Sequence, residues 1–94
     1  MIKSFANKLT EDVYNGVYTH GIRKAISSSQ MKIAQRKLDL LNCAHSVESF
    51  HLIPSIKAEG SVRDVHGKHS IPLFGAWRLT FKWNDGAHEV ELKA

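Results

Sequence analysis

The chain has 94 residues, 43% of them apolar, and a formal net charge of +4. That length allows one domain with a modest core, and the apolar share excludes disorder. No apolar run approaches the roughly 20 residues that cross a bilayer.

Residues 1–6 read as a short strand, with Ile2, Ser4 and Ala6 alternating against Lys3 and Phe5. Residues 9–15 suit one or two helical turns, with Thr10 as N-cap and Gly16 as the stop. The clearest helix is predicted over 28–44. Ser27 and Gln30 have capping-box spacing, and Met31, Ala34, Leu38, Leu41 and Ala44 recur at intervals of three and four. Lys32, Arg36 and Asp39 fall on its other face. Cys43 is expected to be inert packing near its end; standing alone, it excludes an internal disulfide and fits a reducing compartment. Residues 46–50 add one more turn.

After residue 51 the apolar period changes to two. Residues 69–74 read as a strand, with Pro72 forcing a bulge or an edge position. In residues 77–83, Trp77, Leu79, Phe81 and Trp83 point one way and Arg78, Thr80 and Lys82 the other. Asn84-Asp85-Gly86 is a hairpin turn signal. Residues 87–92 return, with Val90 and Leu92 inward and Glu89 and Glu91 outward. Helices followed by an antiparallel meander predict an α+β fold, with N-terminal helices packed on a small twisted antiparallel sheet. The 28–44 helix supplies the apolar stripe to cover residues 77–83, and leaves the face with Arg78 and Lys82 to a ligand.

Charge is unevenly distributed. Arg23 to Lys37 carries five cations and no acid, and Lys57 to Lys82 carries five more against Glu59 and Asp64. Two such blocks fit either one RNA-binding patch or two solvated faces. The six histidines show no helical i, i+4 pair, and Lys68 between His66 and His69 repels a cation, so no metal or cofactor is expected. There is no phosphate-binding Gly-rich loop and no G-x-S-x-G. The remaining constellation is the bases and cations of 57–82. RNA is cleaved without metal when a 2′-hydroxyl attacks the adjacent phosphate, aided by cations, a base and an acid. Arg78, always charged, forked and set on a rigid strand, is the best candidate phosphate ligand. Lys57, Arg63, His66, Lys68 and His69 lie on the segment leading to it.

Three stretches then resemble the HigB branch of the RelE/ParE toxin superfamily. The first is Met1-Ile2-Lys3-Ser4-Phe5 with Gly21-Ile22. The second runs Arg36-Lys37-Leu38-Asp39-Leu40-Leu41-Asn42-Cys43-Ala44, then Ser46-Val47-Glu48-Ser49-Phe50. The most specific pairs Gly67-Lys68-His69-Ser70-Ile71 with Trp77-Arg78-Leu79-Thr80-Phe81-Lys82-Trp83, similar to the family's G-x-x-S-I and W-R-[IL]-x-F strands. Together they cover nearly the whole chain. The resemblance implies a RelE-like fold and a cytoplasmic toxin that cleaves mRNA on the ribosome. It also implies a cognate helix-turn-helix antitoxin (HigA-like) as partner, and no membrane.

By that resemblance Arg78 is the family arginine. Lys57, His69 and His66 are further candidate catalytic groups, and Arg63, Lys68, Lys82 and Arg36 candidate RNA contacts. Two stretches depart from the pattern. Leu52-Ile53-Pro54-Ser55-Ile56-Lys57-Ala58-Glu59-Gly60 stands where the family has L-x-P-L-K-G-D/E-R, with Lys57 as the equivalent lysine. Glu91-Leu92-Lys93-Ala94 stands where it has an acidic-Tyr-His ending. Cleavage is then expected to be weak, to rely on His66 or His69, or to be absent. The alternatives are a degenerate toxin that binds antitoxin or ribosome without cutting, and a gyrase poison of the ParE kind. The W-R-[IL]-x-F strand favours the first two readings.

Overall fold

The computed structural model describes residues 1–58, the backbone of 62–63, and residues 67–94. Five helices precede an antiparallel meander: α1 (Lys8–Tyr14), α2 (His20–Ala25), α3 (Ser28–Cys43), α4 (Val47–Leu52), α5 (Pro54–Lys57), then β1 (Val62–Arg63), β2 (His69–Phe74), β3 (Trp77–Trp83) and β4 (Ala87–Lys93). The sheet order is β1-β2-β3-β4, three full strands and a two-residue edge. Helices on one side of an antiparallel sheet make an α+β architecture.

The long helix forms where its stripe and caps agree. The Ser27 side chain accepts from the Gln30 amide, and the Gln30 side chain accepts from the Ser27 amide. Two of the free first-turn N–H groups are thereby satisfied. Met31, Ala34, Leu38 and Leu41 are buried on one face, and Lys32, Arg36 and Asp39 are exposed. Cys43 is exposed rather than packed. No helix among the described residues is long and apolar enough to cross a membrane.

The start of α1 differs from expectation. Asn7, not Thr10, is the N-cap, accepting from the Thr10 amide. Thr10 is instead buried, and its hydroxyl accepts from the Leu92 amide at 2.9 Å. A hydroxyl that reads locally as a cap is thus used to tie α1 to β4. Residues 1–6 do lie along the sheet, as two isolated parallel bridges, Ile2 to Ala87 and Phe5 to Val90. The half-buried side chains are Ile2 and Phe5, a spacing of three that breaks the predicted alternation.

The strand periodicity holds with two local breaks. Leu79 and Phe81 are fully buried, and Trp77 and Trp83 partly so. The register of β2 against β3 shifts between Pro72 and Phe74. In β4 the second shift falls opposite Phe81, where Glu89 takes a φ of 51°. The extra residue of this bulge turns Ala87 inward as well as Val90 and Leu92. The hairpin before it needs positive φ at Asp85 (54°) and Gly86 (138°). A Cβ at Gly86 would come within 2.8 Å of the Met1 carbonyl oxygen, so glycine is required by space as well as by φ.

Cover for the sheet is shared between helices. α3 packs on β2, and α1 sits against α3 and β4. From α4, Phe50 meets Phe81 edge-on, with ring centroids 5.6 Å apart. The opposite sheet face carries no helix among the described residues, and its Ser70, Pro72, Arg78, Thr80 and Glu91 are all half-buried.

Candidate functional site

The open sheet face is organised by strand register. Ser70, Pro72, Arg78 and Thr80 lie on it because His69, Ile71, Leu73, Leu79 and Phe81 face the core. Arg78 donates from Nε to the Ser70 hydroxyl at 2.6 Å. This bond joins the serine of Gly67-x-x-Ser70-Ile71 to the arginine of Trp77-Arg78-Leu79-x-Phe81. The two strand motifs therefore meet in one side-chain contact.

β4 adds groups from the other side. Lys93 stands directly opposite Arg78 in the register, and Glu91 opposite Thr80. Directly opposed residues project from the same face, and like charges placed so repel unless an anion lies between them. Towards the other end of the strands, Lys82 and Glu89 form a 2.9 Å ion pair. The hydrogen bond from Lys82, and next its charge, hold the Glu89 carboxyl below the usual range, with smaller help from Lys68 and His88. Arg78, Lys68 and Lys82 thus share one side of the sheet.

His69 does not join them. It is buried on the core face, its ring nearly parallel to Phe81 at 5.2 Å, and its Nδ1 and the Nε2 of His51 share a hydrogen bond at 2.9 Å. Strand alternation turns residue 69 away from residues 70 and 78, so the structure does not bring His69 together with Arg78. Arg36 lies exposed on α3, on the helical side of the sheet. Lys57 is exposed at the last position of α5, outside the Arg78–Ser70 pair. His66 and the side chain of Arg63 lie outside the described residues; the Arg63 backbone pairs with His69. Among the described residues no three His, Cys, Asp or Glu side chains gather as a metal site.

Ser70, Glu91 and Lys93 are the members that sequence reasoning left out. Ser70 was visible as the residue whose alternation matches Arg78 across a two-strand hairpin. Lys93 and Glu91 depend on the β3–β4 register, which the bulge at Glu89 resets.

The histidine pair has a measurable consequence. Burial pushes the His51 pKa below its ordinary value of 6.5, against a smaller upward pull from Glu48. The unfolded chain therefore binds more protons than the native chain between the lowered value and about 6.5, and stability rises with pH across that window. It is fully present above the window and lost as pH falls through it. The melting temperature should drop between about pH 7 and pH 5, and drop less in His51→Gln. Equal drops in the two proteins would refute the assignment.

Comparison with protein-family models and with curated proteins finds no match for this chain.

Proposed function

We propose that this protein is a toxin of the HigB/RelE type that stops translation by cutting mRNA on the ribosome, with a helix-turn-helix antitoxin as its partner. The observation that carries the reading is the Arg78–Ser70 contact on the open sheet face, with Lys93 opposite Arg78. A phosphate set against this face would be met by a forked cation whose orientation is already fixed. Lys68, and Lys82 beyond its ion pair with Glu89, lie further along the strands and would add to the attraction for the RNA backbone, which salt screens.

In the proposed reaction the 2′-oxygen attacks the neighbouring phosphorus and the 5′-oxygen leaves, giving a cyclic phosphate and a 5′-hydroxyl. Arg78 would stabilise the charge that builds on the non-bridging oxygens. Glu91, the carboxylate nearest in register, would take the 2′-hydroxyl proton, and the leaving 5′-oxygen would take a proton from water. The ribosome supplies the orientation of the message. No metal is required by this scheme.

A second reading has a specific observation in its favour. With His69 turned into the core, no imidazole accompanies Arg78 among the described residues, and the protein would then bind ribosome or antitoxin without cutting. Induction in cells followed by mapping of mRNA 5′ ends separates the two. Growth arrest with new 5′-hydroxyl ends inside translated messages is expected. Arrest with intact messages would leave the binding reading. Unaffected translation with inhibited supercoiling would instead favour the gyrase reading and overturn both.

A further inference from the structure

The helical side of the molecule carries a groove separate from the Arg78 face. It lies between α3 and the end of β2 and encloses about 430 Å³. Ile33, Leu40 and Leu73 line its apolar part, and Lys32, Arg36, Lys37 and Ser55 its polar part, with no acid among the described lining residues. Lys32, Ile33, Arg36 and Leu40 make one stripe of α3, nine residues from end to end, so the groove runs about 12 Å along the helix. Ile33 stands 43% exposed between two exposed cations.

The chemistry selects among occupants. Single-stranded nucleic acid is held by aromatic faces on which bases stack, and no aromatic side chain lines the groove among the described residues. A second copy of this chain, itself at +4, would bring further positive charge to the same stripe. On the far side of the ridge formed by Lys32, Arg36 and Leu40, a shallower depression includes Asp39, which repels carboxylates. An anionic ligand is therefore steered to the β2 side of the ridge, over the apolar residues.

We infer that this groove docks a short acidic, amphipathic helix of a partner protein, its carboxylates on Lys32 and Arg36 and its apolar side chains over Ile33, Leu40 and Leu73. This is helix-in-groove recognition, in which apolar anchors provide adhesion and flanking charges fix register. Arg36, which the sequence assigns to RNA, belongs on this view to a protein interface. The inference does not rest on the cleavage reading, because the two faces share no side chain among the described residues.

The test uses the full-length protein and two labelled helical peptides of about 12 residues, one with leucines on one face flanked by glutamates, the other with lysines in place of the glutamates. An oligouridine serves as the nucleic-acid probe. Wild type should bind the glutamate peptide at least roughly tenfold tighter than the lysine peptide. Combined Lys32→Glu and Arg36→Glu should reverse that preference, and Ile33→Ser should weaken binding severalfold. All three positions are exposed, so thermal melts should be unchanged. Absence of a preference for the glutamate peptide in wild type overturns the inference. So does a preference that survives the double reversal. Loss of oligouridine binding, with peptide binding intact, would assign the groove to nucleic acid instead.

Discussion

Arg78→Ala should lower mRNA cleavage by roughly a hundred- to thousand-fold, the cost of removing one preorganised donor to a developing oxyanion. The expectation follows from placement. Arg78 is half-buried on a rigid strand, aimed by its Nε bond to Ser70, and directly opposite a second cation, Lys93. Stability should change far less, because only one exposed-face hydrogen bond is lost, worth about 0.5–1.5 kcal/mol. Arg78→Lys keeps the charge but not the fork, and should recover only part of the rate. Lys82→Ala provides the contrast. Its ammonium is already engaged by Glu89 at 2.9 Å, so the loss should be tenfold or less and should shrink as salt rises. Cleavage of ribosome-bound message, read beside thermal melts, distinguishes these outcomes. An Arg78→Ala protein that is folded and fully active would remove the site. One that is inactive because it is unfolded would make Arg78 structural.

Much of the architecture was legible because local and global signals coincide. The α3 helix has a capping box and a clean apolar stripe, and its boundaries fall within one residue of those predicted. The strands at 69–74 and 77–83 were given by alternation alone. Two of the short helices, α2 and α5, were not. α2 has six residues with a glycine at its second position and buries only Ile22, so it is too short to display a period. α5 is a single turn with Pro54 in its first position, and depends on Ile56 being buried. Both are held by packing that the sequence does not display.

The site divides in the same way. Arg78 and Lys82 were placed on the right face by counting along one strand. His69 was grouped with the cations because of its chemistry, although the same counting puts it with Ile71 and Leu73, which are buried. Thr10 was assigned by its local chemistry too, and its partner is 82 residues away. The Lys93–Arg78 pairing was out of reach, because the bulge at Glu89 resets the register by a residue that no simple alternation reveals.

Phe81→Ala should be the most destabilising single substitution among the sheet residues, at about 3–5 kcal/mol. The ring is fully buried, edge-on to Phe50 at 5.6 Å and nearly parallel to His69 at 5.2 Å. It therefore fastens α4 to β3 and also supports one half of the histidine pair. It lies across from the β4 bulge, where the ladder is already interrupted and a cavity would be poorly spanned by backbone hydrogen bonds. A chain of this size has a total stability of about 5–14 kcal/mol, so the loss takes a large share of it. Phe81→Leu keeps most of the apolar volume and should cost less, leaving a loss that includes the ring-ring geometry, about 0.5–1.5 kcal/mol. Urea titration of the two variants should show lower midpoints with an unchanged slope. The same titration also separates packing from presentation. Residue 81 faces inward while residue 78 faces out, so the Phe81→Leu protein, where folded, should hold Arg78 as wild type does and retain its cleavage rate. A loss of under about 1 kcal/mol in Phe81→Ala would mean that the ring is not the link between α4 and the sheet.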